Sequence, residues 1–362
     1  MTGHGERDRS KRFESTATEP MARGVEFGES NREEIDATVG HYLELFSGPA
    51  ELNADRIAQL AAGSLAAIDS WAPEIGREIR GIALGANQPL ENLAAINSRT
   101  ELLAASTTNF RGECSTVVHL GSATDPYPEA QQNWDWYSAF SNDWLIWSFE
   151  LEDGRRVETM TEYGIVAKVG CNSSGVGLHF NILHHRDDGG RMGVPVHVVA
   201  RRVLETSTDA ASALQTIASA SLSASTTLTV VSGGKAGKVA VSVEASPNDL
   251  GFVFPDETGL LVHTNHFLTD PARLGDTEHR LYPDTVLRYD SLVRELTSNP
   301  ATDQKESITE ALSSRVGGAL AVCCRPDRSR PPEFQFETLV HVRLDLENGR
   351  VLASPGGPNP RT

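Results

Sequence analysis

The sequence lacks the features by which membrane, secreted and nucleic-acid-binding proteins are recognised. It contains no run near the ~18 consecutive apolar residues of a membrane helix, and the polar residues 1–28 lack the apolar segment of a signal peptide. Asp and Glu (49) outnumber Lys and Arg (32), which gives a formal net charge of −17. Because this charge repels phosphates, nucleic acid is an unfavourable partner. We therefore expect a cytoplasmic protein with neither a membrane nor a nucleic acid as its partner.

Cysteine is also scarce, with four residues in the chain: Cys114, Cys171, Cys323 and Cys324. So few cysteines do not form the disulfide framework of a small secreted domain. No Cys-x-x-Cys pair occurs, and the histidines at 184–185 and 263–266 have no third ligand at a metal-site spacing. We expect no metal and no cofactor, an exposed loop at 184–188, and an apolar strand at 320–324.

The order of hydrophobic patterns predicts an α+β fold. Residues 1–28 are rich in both charges and are predicted to form a disordered leader. Residues 29–113 carry apolar side chains at helical spacing and predict a mostly helical segment. Residues 114–362 predict strands separated by glycine turns, with helices in between. Strands and helices in this order, joined by hairpins, are typical of layered α+β proteins.

Cys114 is the strongest candidate for a functional residue. It opens a short β-branched strand after the loop 106–112, and Asp135 lies on the segment predicted to be the next strand. This arrangement is expected if Cys114 becomes a new N-terminus, because an α-amine with a pKa of ~7.7–8.0 can serve as the catalytic base. The alternative for any single cysteine is a buried structural role.

Eight short motifs follow one another along most of the chain beyond the leader. They are Arg80-Gly81-Ile82-Ala83 with Gly85-Ala86, Asn97-Ser98-Arg99-Thr100-Glu101, Cys114-Ser115-Thr116, Gln132-Asn133-Trp134-Asp135, Asn172-Ser173-Ser174-Gly175-Val176, Gly193-Val194-Pro195-Val196-His197, Glu244-Ala245-Ser246-Pro247 and Val262-His263-Thr264-Asn265-His266. In this order and at these spacings they resemble the penicillin acyltransferase-type N-terminal-nucleophile (Ntn) hydrolases. This family contains the relatives of isopenicillin N acyltransferase and is grouped with the C45 peptidases.

The resemblance implies a four-layer αββα sandwich with a helical N-terminal segment. It also implies autocatalytic cleavage between Glu113 and Cys114. The products are expected to be an α chain (1–113) and a β chain (114–362) that stay associated. Maturation would then be an attack of the Cys114 thiol on the Glu113 carbonyl, and turnover would use the same thiol.

The resemblance also assigns roles to three further residues. Asp135 matches the family's catalytic aspartate, which orients the Cys114 amine, and Asn265 matches an asparagine that resembles an oxyanion donor. Ser246 falls at a serine that the family links to processing. From the residues alone, Asp135 and Ser246 can also be turn residues.

The candidate substrate-binding residues are Trp134, Trp136 and Arg99. The two tryptophans flank Asp135 and are candidates to line a pocket for an aromatic or apolar acyl group. Arg99 belongs to the second motif. Core packing is the expected role of the two later tryptophans, Trp144 and Trp147.

The chain departs from the family at two places. Glu113 precedes the expected scissile bond where penicillin-type members have Gly, and no arginine stands in register before Thr338-Leu339, where Gln335 occupies the position. Arg325, Arg328 and Arg330 lie nearby, but only a shifted loop would bring one of them in.

The predicted function is a self-processing N-terminal-cysteine amidohydrolase or acyltransferase. It would cleave or transfer the acyl group of a small N-acyl amine through a thioester. One alternative is an acyl-CoA-dependent N-acyltransferase of the penicillin type with an amine acceptor. Another is an uncleaved binding protein that keeps the fold. A cysteine peptidase with a separate histidine base is a third alternative, although no histidine has the context to supply that base.

Overall fold

The computed structural model describes residues 11–106, 108, 110–122, 124–235, 237–270, 272–298 and 303–358. The helices are α1 (Pro20–Ser30), α2 (Arg32–Ser47), α3 (Ala54–Trp71), α4 (Pro73–Ala86), α5 (Leu90–Asn97), α6 (Arg99–Ala104), α7 (Val196–Thr206), α8 (Ala210–Ala218), α9 (Glu278–Leu281), α10 (Asp284–Ser298) and α11 (Gln304–Leu312). The strands are β1 (Arg12–Glu14), β2 (Glu113–His119), β3 (Glu129–Tyr137), β4 (Trp144–Glu150), β5 (Arg156–Glu162), β6 (Val169–Asn172), β7 (Val176–Ile182), β8 (Thr226–Ser232), β9 (Val239–Ala245), β10 (Leu250–Val253), β11 (Leu260–His263), β12 (Phe336–Asp345) and β13 (Arg350–Pro355).

Two sheets form the centre of the molecule. One has eight strands in the order β1-β4-β5-β6-β7-β8-β9-β10, and the other has five in the order β11-β2-β3-β12-β13. The sheets pack against each other, with β2 on β7 and with β12 and β13 on β6. Every residue of β7 is buried, as expected for a strand covered on both faces.

Helices cover the outer face of each sheet. Helices α7 and α8 pack on the eight-stranded sheet, and α10 and α11 pack on β2, β3 and β11 of the five-stranded sheet. The four layers are therefore helix, sheet, sheet and helix, and the predicted αββα sandwich is confirmed. The helical N-terminal segment joins this frame where α4 contacts α7.

The leader predicted to be disordered is ordered in its described part, so that prediction is wrong from residue 11 onward. Residues 1–10 lie outside the described residues. Strand β1 pairs in parallel with β4, and α1 packs on α4 so closely that a Cβ on Gly24 would lie 2.2 Å from Glu78 O. Glycine permits such an approach of two backbones.

Contacts with distant parts of the chain stabilise this segment. The ring of Phe27 lies 4.1 Å from the ring of Trp147, and Arg23 Nη2 lies 2.8 Å from Glu78 Oε2 in a buried ion pair. Trp144 and Trp147 are also buried in the core, as expected. Local composition predicted disorder because these partners are remote in sequence.

The strand predicted at 320–324 is also wrong. Residues Gly318–Leu320 form a short 3-10 helix and the following residues are irregular. Strand β12 is already paired with β3 on one side and β13 on the other, so this segment cannot join β12 as a further strand. It is instead tied to β12 by Cys324 N, which donates to Thr338 Oγ1 over 2.8 Å. No helix within the described residues has the length and apolarity to cross a membrane.

Candidate active site

The pairing of β2 with β3 sets the position of Cys114. Its register places Cys114 opposite Trp134 and Glu113 opposite Asp135. Directly paired residues share a face of the sheet, and successive residues alternate between faces. Cys114 and Trp134 therefore lie on the inner face, which is turned toward the eight-stranded sheet. Asp135 lies on the outer face, which α10 and α11 cover.

Two buried side chains hold the backbone of Cys114. Cys114 N donates to Asn265 Oδ1 over 2.9 Å, and Arg288 Nη1 donates to Cys114 O over 3.0 Å. Arg288 Nη2 donates to the same Asn265 Oδ1 over 3.0 Å. Because two donors converge on this atom, it is the amide oxygen, and the amide nitrogen donates to Ile182 O over 2.8 Å. The nitrogen of the expected scissile bond is thus fixed by a side chain.

Asp135 is fully buried on the outer face. Burial raises the pKa of Asp135 to about 7, against the lowering effects of the Thr338 hydroxyl and the Arg288 guanidinium. The carboxyl group therefore exchanges its proton near neutral pH, as a general acid or base requires. The structure places Asp135 on the strand paired with Cys114 and hydrogen-bonds Asn265 to the Cys114 amide; their catalytic roles stay predictions.

On the inner face, two buried cations lie against the tryptophans. Lys168 Nζ is 3.5 Å from the ring centroid of Trp134, and Arg99 Cζ is 4.5 Å from that of Trp136. Glu162 Oε2 lies between them, 2.9 Å from Lys168 Nζ and 3.2 Å from Arg99 Nη2. Although burial raises it, Arg99 and Lys168 lower the pKa of Glu162 to about 2.

The thiol of Cys114 is protonated near neutral pH in the uncleaved chain. Burial raises its pKa to about 12 and Asp135 adds to the rise, while Lys168, the Asp135 backbone amide and Arg288 act in the opposite direction. Because the thiolate is the nucleophile, attack by Cys114 needs a base or a compensating positive charge.

A small apolar cavity adjoins the residues before Cys114. Its volume is about 20 Å³, room for about one water. The lining residues are Thr100, Leu103, Ala104, Phe110, Arg111, Gly112, Trp136, Ile182, Leu183, His184 and Ala224. Of the predicted substrate-binding residues, only Trp136 lines this cavity. A larger surface cleft of about 850 Å³ lies beside α3 and shares no lining residue with it.

Comparison with known proteins identifies the family. A family model described as acyl-coenzyme A:6-aminopenicillanic acid acyl-transferase matches residues 131–354, more than half of the chain. The chain belongs to this family. An acyl-coenzyme A:6-aminopenicillanic-acid-acyltransferase 40 kDa form from Emericella nidulans is 27% identical over 342 residues, which are 94% of this chain and 91% of the relative.

Two solved structures are also similar to this member of the acyl-transferase family. An N-acylethanolamine-hydrolyzing acid amidase ortholog from Caenorhabditis elegans matches with a TM-score of 0.43 and 14% identity, over 65% of this chain and 93% of that one. Penicillin V acylase from Agrobacterium tumefaciens matches with a TM-score of 0.44 and 13% identity, over 67% of this chain and 83% of that one. The family membership confirms the resemblance seen in the motifs, and the protein is an amide hydrolase or N-acyltransferase.

Sequence reasoning missed two residues that surround Cys114, Arg288 and Lys168. The arginine was sought near Gln335, but Arg330 stacks on Phe334 at 5.9 Å, whereas Arg288 reaches Cys114 from α10. No local pattern marks Arg288. Lys168 had a usable signal, because it is the one charged residue in the apolar run 165–169.

The structure does not bring Ser246 to Cys114. Its backbone and side chain hydrogen-bond with Asp249 in the turn after β9, which agrees with the turn alternative. Another residue of the same motif does connect to the site. Glu244 Oε1 lies 2.8 Å from His263 Nε2 and accepts from Leu268 N over 2.6 Å. Glu244 thereby fixes the loop that carries Asn265.

The loop at 184–188 is not simply exposed as predicted. His184 pairs with the buried Glu278, and His185 is buried against the ring of Phe267 at 5.7 Å. Long-range partners account for the difference, since Glu278 is 94 residues away in sequence. Within the described ranges, no group of three His, Cys, Asp or Glu side chains is placed to hold a metal ion.

Proposed function

We propose that this protein is a self-processing amidohydrolase or acyltransferase whose nucleophile is the N-terminal Cys114 of a β chain (114–362). The substrate is a small N-acyl amine, and the acyl group passes through a thioester on Cys114. The observation that carries the proposal is the bond from Cys114 N to Asn265 Oδ1. Cleavage would convert the Cys114 amide to an α-amine, and this amine would keep its hydrogen bond to the buried Asn265 side chain.

In the proposed maturation, a water molecule relays the proton of Cys114 Sγ to Asp135 on the other face of the sheet, and Sγ attacks the Glu113 carbonyl carbon. The C–N bond then breaks, and Asp135 returns the proton to the departing Cys114 nitrogen, which becomes an amine. Water hydrolyses the resulting thioester to a Glu113 carboxylate and a free thiol. Asp135 is suited to this task because its pKa of about 7 lets it accept and release a proton near neutrality.

In the proposed turnover, the new α-amine accepts the thiol proton and Cys114 attacks the acyl carbon of the substrate. The leaving amine takes up that proton, and water or a second amine then removes the acyl group from the sulfur. Asn265 is the proposed oxyanion donor through the second hydrogen of its amide nitrogen, since the first is directed at Ile182 O. Such a donor contributes on the order of 3 kcal/mol.

The apolar lining beside residue 112 supports an apolar or aromatic acyl group. In the uncleaved chain this cavity is small, and Phe110 and Gly112 form part of its wall. Cleavage would make residues 110–113 a free chain end, of which only Glu113 belongs to β2, and would enlarge the space in front of Cys114. Trp136 would then contact the acyl group, whereas Trp134 and Arg99 would act from behind it.

Cleavage is tested first by denaturing gel and mass spectrometry of the purified protein. The expected result is two fragments, 1–113 and 114–362, with Cys114→Ala remaining a single chain. Cys171→Ala is the matched control, because Cys171 is a buried cysteine on β6 and its removal should leave cleavage intact. A wild-type chain that stays whole after long incubation would overturn self-processing and favour the binding-protein alternative.

Transfer is a second candidate function, favoured by the family description, which names an acyl-coenzyme A donor. Incubating the cleaved protein with an N-acyl amine, with an acyl-CoA thioester, and with or without a second amine separates the reactions. Hydrolysis predicts free acid in every mixture. Transfer predicts a new amide only when the second amine is present, and its absence would exclude an acyltransferase.

A further inference from the structure

We propose that Lys168 is a positioning residue that, together with Arg99, stabilises the Cys114 thiolate through an excess of buried positive charge on the inner face. The inference rests on the proposed role of Cys114 as nucleophile. It adds a source of thiolate stabilisation that is present before any α-amine exists. Neither cation belongs to the group of Asn265, Arg288 and Asp135 on the opposite face.

The geometry places Lys168 on the side of the sheet to which the thiol belongs. Cys114 and Trp134 are direct cross-strand partners, so their side chains stand next to each other on one face. Lys168 Nζ lies 3.5 Å from the centroid of the Trp134 ring. The positive charge of this ammonium group lowers the pKa of the Cys114 thiol. The Arg99 guanidinium also interacts electrostatically with Cys114.

The charges of this cluster are not balanced as those of a structural ion cluster are. A second buried cluster in the molecule contains two cations, Arg23 and Arg201, and two carboxylates, Glu78 and Glu205, joined by hydrogen bonds. The inner face has two cations and Glu162 between them. Apart from the ion pair of Arg99 Nη2 with Glu162, the Arg99 nitrogens make no hydrogen bond to any described residue. An unbalanced buried charge is costly, and a thiolate at Cys114 would balance it.

Other titratable groups around the cluster do not supply this negative charge below neutral pH. Tyr42 donates to Glu162, and burial raises its pKa well above the usual value, so it is neutral. Burial, with Arg99 and Lys168, lowers the pKa of His197 well below its usual value, so it is also neutral. Glu101 interacts with Arg99, and burial raises its pKa to about 7.

The effect of Lys168 should depend on pH in a specific direction. Burial and Arg99 lower the pKa of Lys168 to about 7, against the opposing effect of Glu162. A lysine with this pKa is charged below pH 7 and loses its charge above it. Thiolate stabilisation by Lys168 is therefore fully present at pH 6 and declines as the pH rises through 7.

The test measures two rates between pH 6 and pH 9. One is the self-cleavage of full-length chain made by cell-free translation. The other is the alkylation of Cys114 by iodoacetamide, quantified by mass spectrometry of its peptide. For Lys168→Met we expect both rates to fall about tenfold at pH 6, as for a pKa change of one unit. The difference from wild type should nearly vanish at pH 9. Lys168→Arg, which stays charged, should retain the wild-type rates at pH 6 and exceed wild type at pH 9.

Lys11→Met is the matched control, because Lys11 Nζ also lies over a tryptophan, 4.3 Å from the Trp144 ring centroid, but away from Cys114. It should leave both rates unchanged. Equal rates in Lys168→Met and wild type at pH 6 would overturn the proposal, as would an equal loss in Lys168→Arg, which would indicate a packing role. If circular dichroism shows that both Lys168 variants are unfolded, the pH profile of wild-type alkylation tests the proposal instead. The proposal requires an inflection near pH 7, and a profile without one would overturn it.

The proposed function and this inference fail in different ways. If wild type never cleaves, self-processing is wrong, but alkylation of Cys114 in the intact chain still reports on Lys168. If wild type cleaves and Lys168→Met behaves identically throughout the pH range, the role of Lys168 is wrong and the proposed function stands.

Discussion

The two faces of the β2–β3 pair surround the same cysteine in different ways. On the outer face, Arg288 is hydrogen-bonded to the Cys114 backbone and to Asn265, and Asp135 lies buried beside it. On the inner face, Lys168 and Arg99 stack on tryptophans and act on the thiol through space. The comparison indicates a division of tasks. In the proposed mechanism, the outer face fixes the position of the backbone and exchanges protons, and the inner face sets the positive charge near the Cys114 sulfur.

The largest expected effect comes from removing the arginine of the outer face. Arg288→Met takes away the donors to Cys114 O and Asn265 Oδ1, and cleavage should slow by on the order of 10²-fold, as when one oxyanion donor is lost. The measurement is the first-order rate of appearance of fragment 114–362. Arg294→Met on the same helix, an exposed arginine paired with Asp290, should cleave normally. A cleavage rate for Arg288→Met close to that of wild type would contradict the proposal that the outer face fixes the Cys114 backbone.

A smaller and pH-dependent effect is expected at the outer carboxylate. Asp135 has its pKa raised from 3.8 to about 7, so the folded state binds a proton that the unfolded state releases. Its favourable contribution to stability is complete below about pH 4 and is lost as the pH rises through 7. In a Cys114→Ala background, the parent should lose about 2–3 kcal/mol more stability between pH 5 and pH 8 than Asp135→Asn does.

Urea unfolding at the two pH values measures this difference, and Asp290→Asn, an exposed carboxylate on α10, is the control. Parallel losses in the parent and in Asp135→Asn would show that Asp135 titrates normally in the fold. In the chain that retains Cys114, Asp135→Asn should abolish the rise of the cleavage rate between pH 6 and pH 8. The cation effect of the inner face has the opposite pH dependence, so the two profiles distinguish the faces.

The smallest effect is expected at Ser246, which belongs to neither face. Its hydrogen bonds with Asp249 form a turn, so Ser246→Ala should cost about 1 kcal/mol of stability and change the cleavage rate less than about twofold. Thermal unfolding and the same cleavage assay measure both. A chain that folds but no longer cleaves would restore the processing role that the family resemblance implied.

The sequence predicted the architecture better than it predicted the site. The order of the layers and most helices and strands could be predicted from local hydrophobic periodicity. Cys114, Asp135 and Asn265 could be predicted because each belongs to a short continuous motif. Arg288 could not be placed in this way, because it reaches Cys114 from a helix 174 residues away and its helix carries no motif. The order of residues 11–28 was missed for the same reason, since Arg23 and Phe27 find their partners in α4 and β4. The cytoplasmic location stays a prediction.

The pairing of β1 with β4 affects how the protein could refold after cleavage. Arg12 to Glu14 form the edge of a sheet whose other strands all come from residues 144–253. If the chain is cut after Glu113, this intramolecular pairing becomes a contact between two polypeptides, and so do the contacts of α4 with α7. A protein that folded as one chain would then have to refold by a bimolecular encounter, with an apparent stability that depends on concentration. Its first folding would be its easiest, and unfolding after maturation would tend to be irreversible.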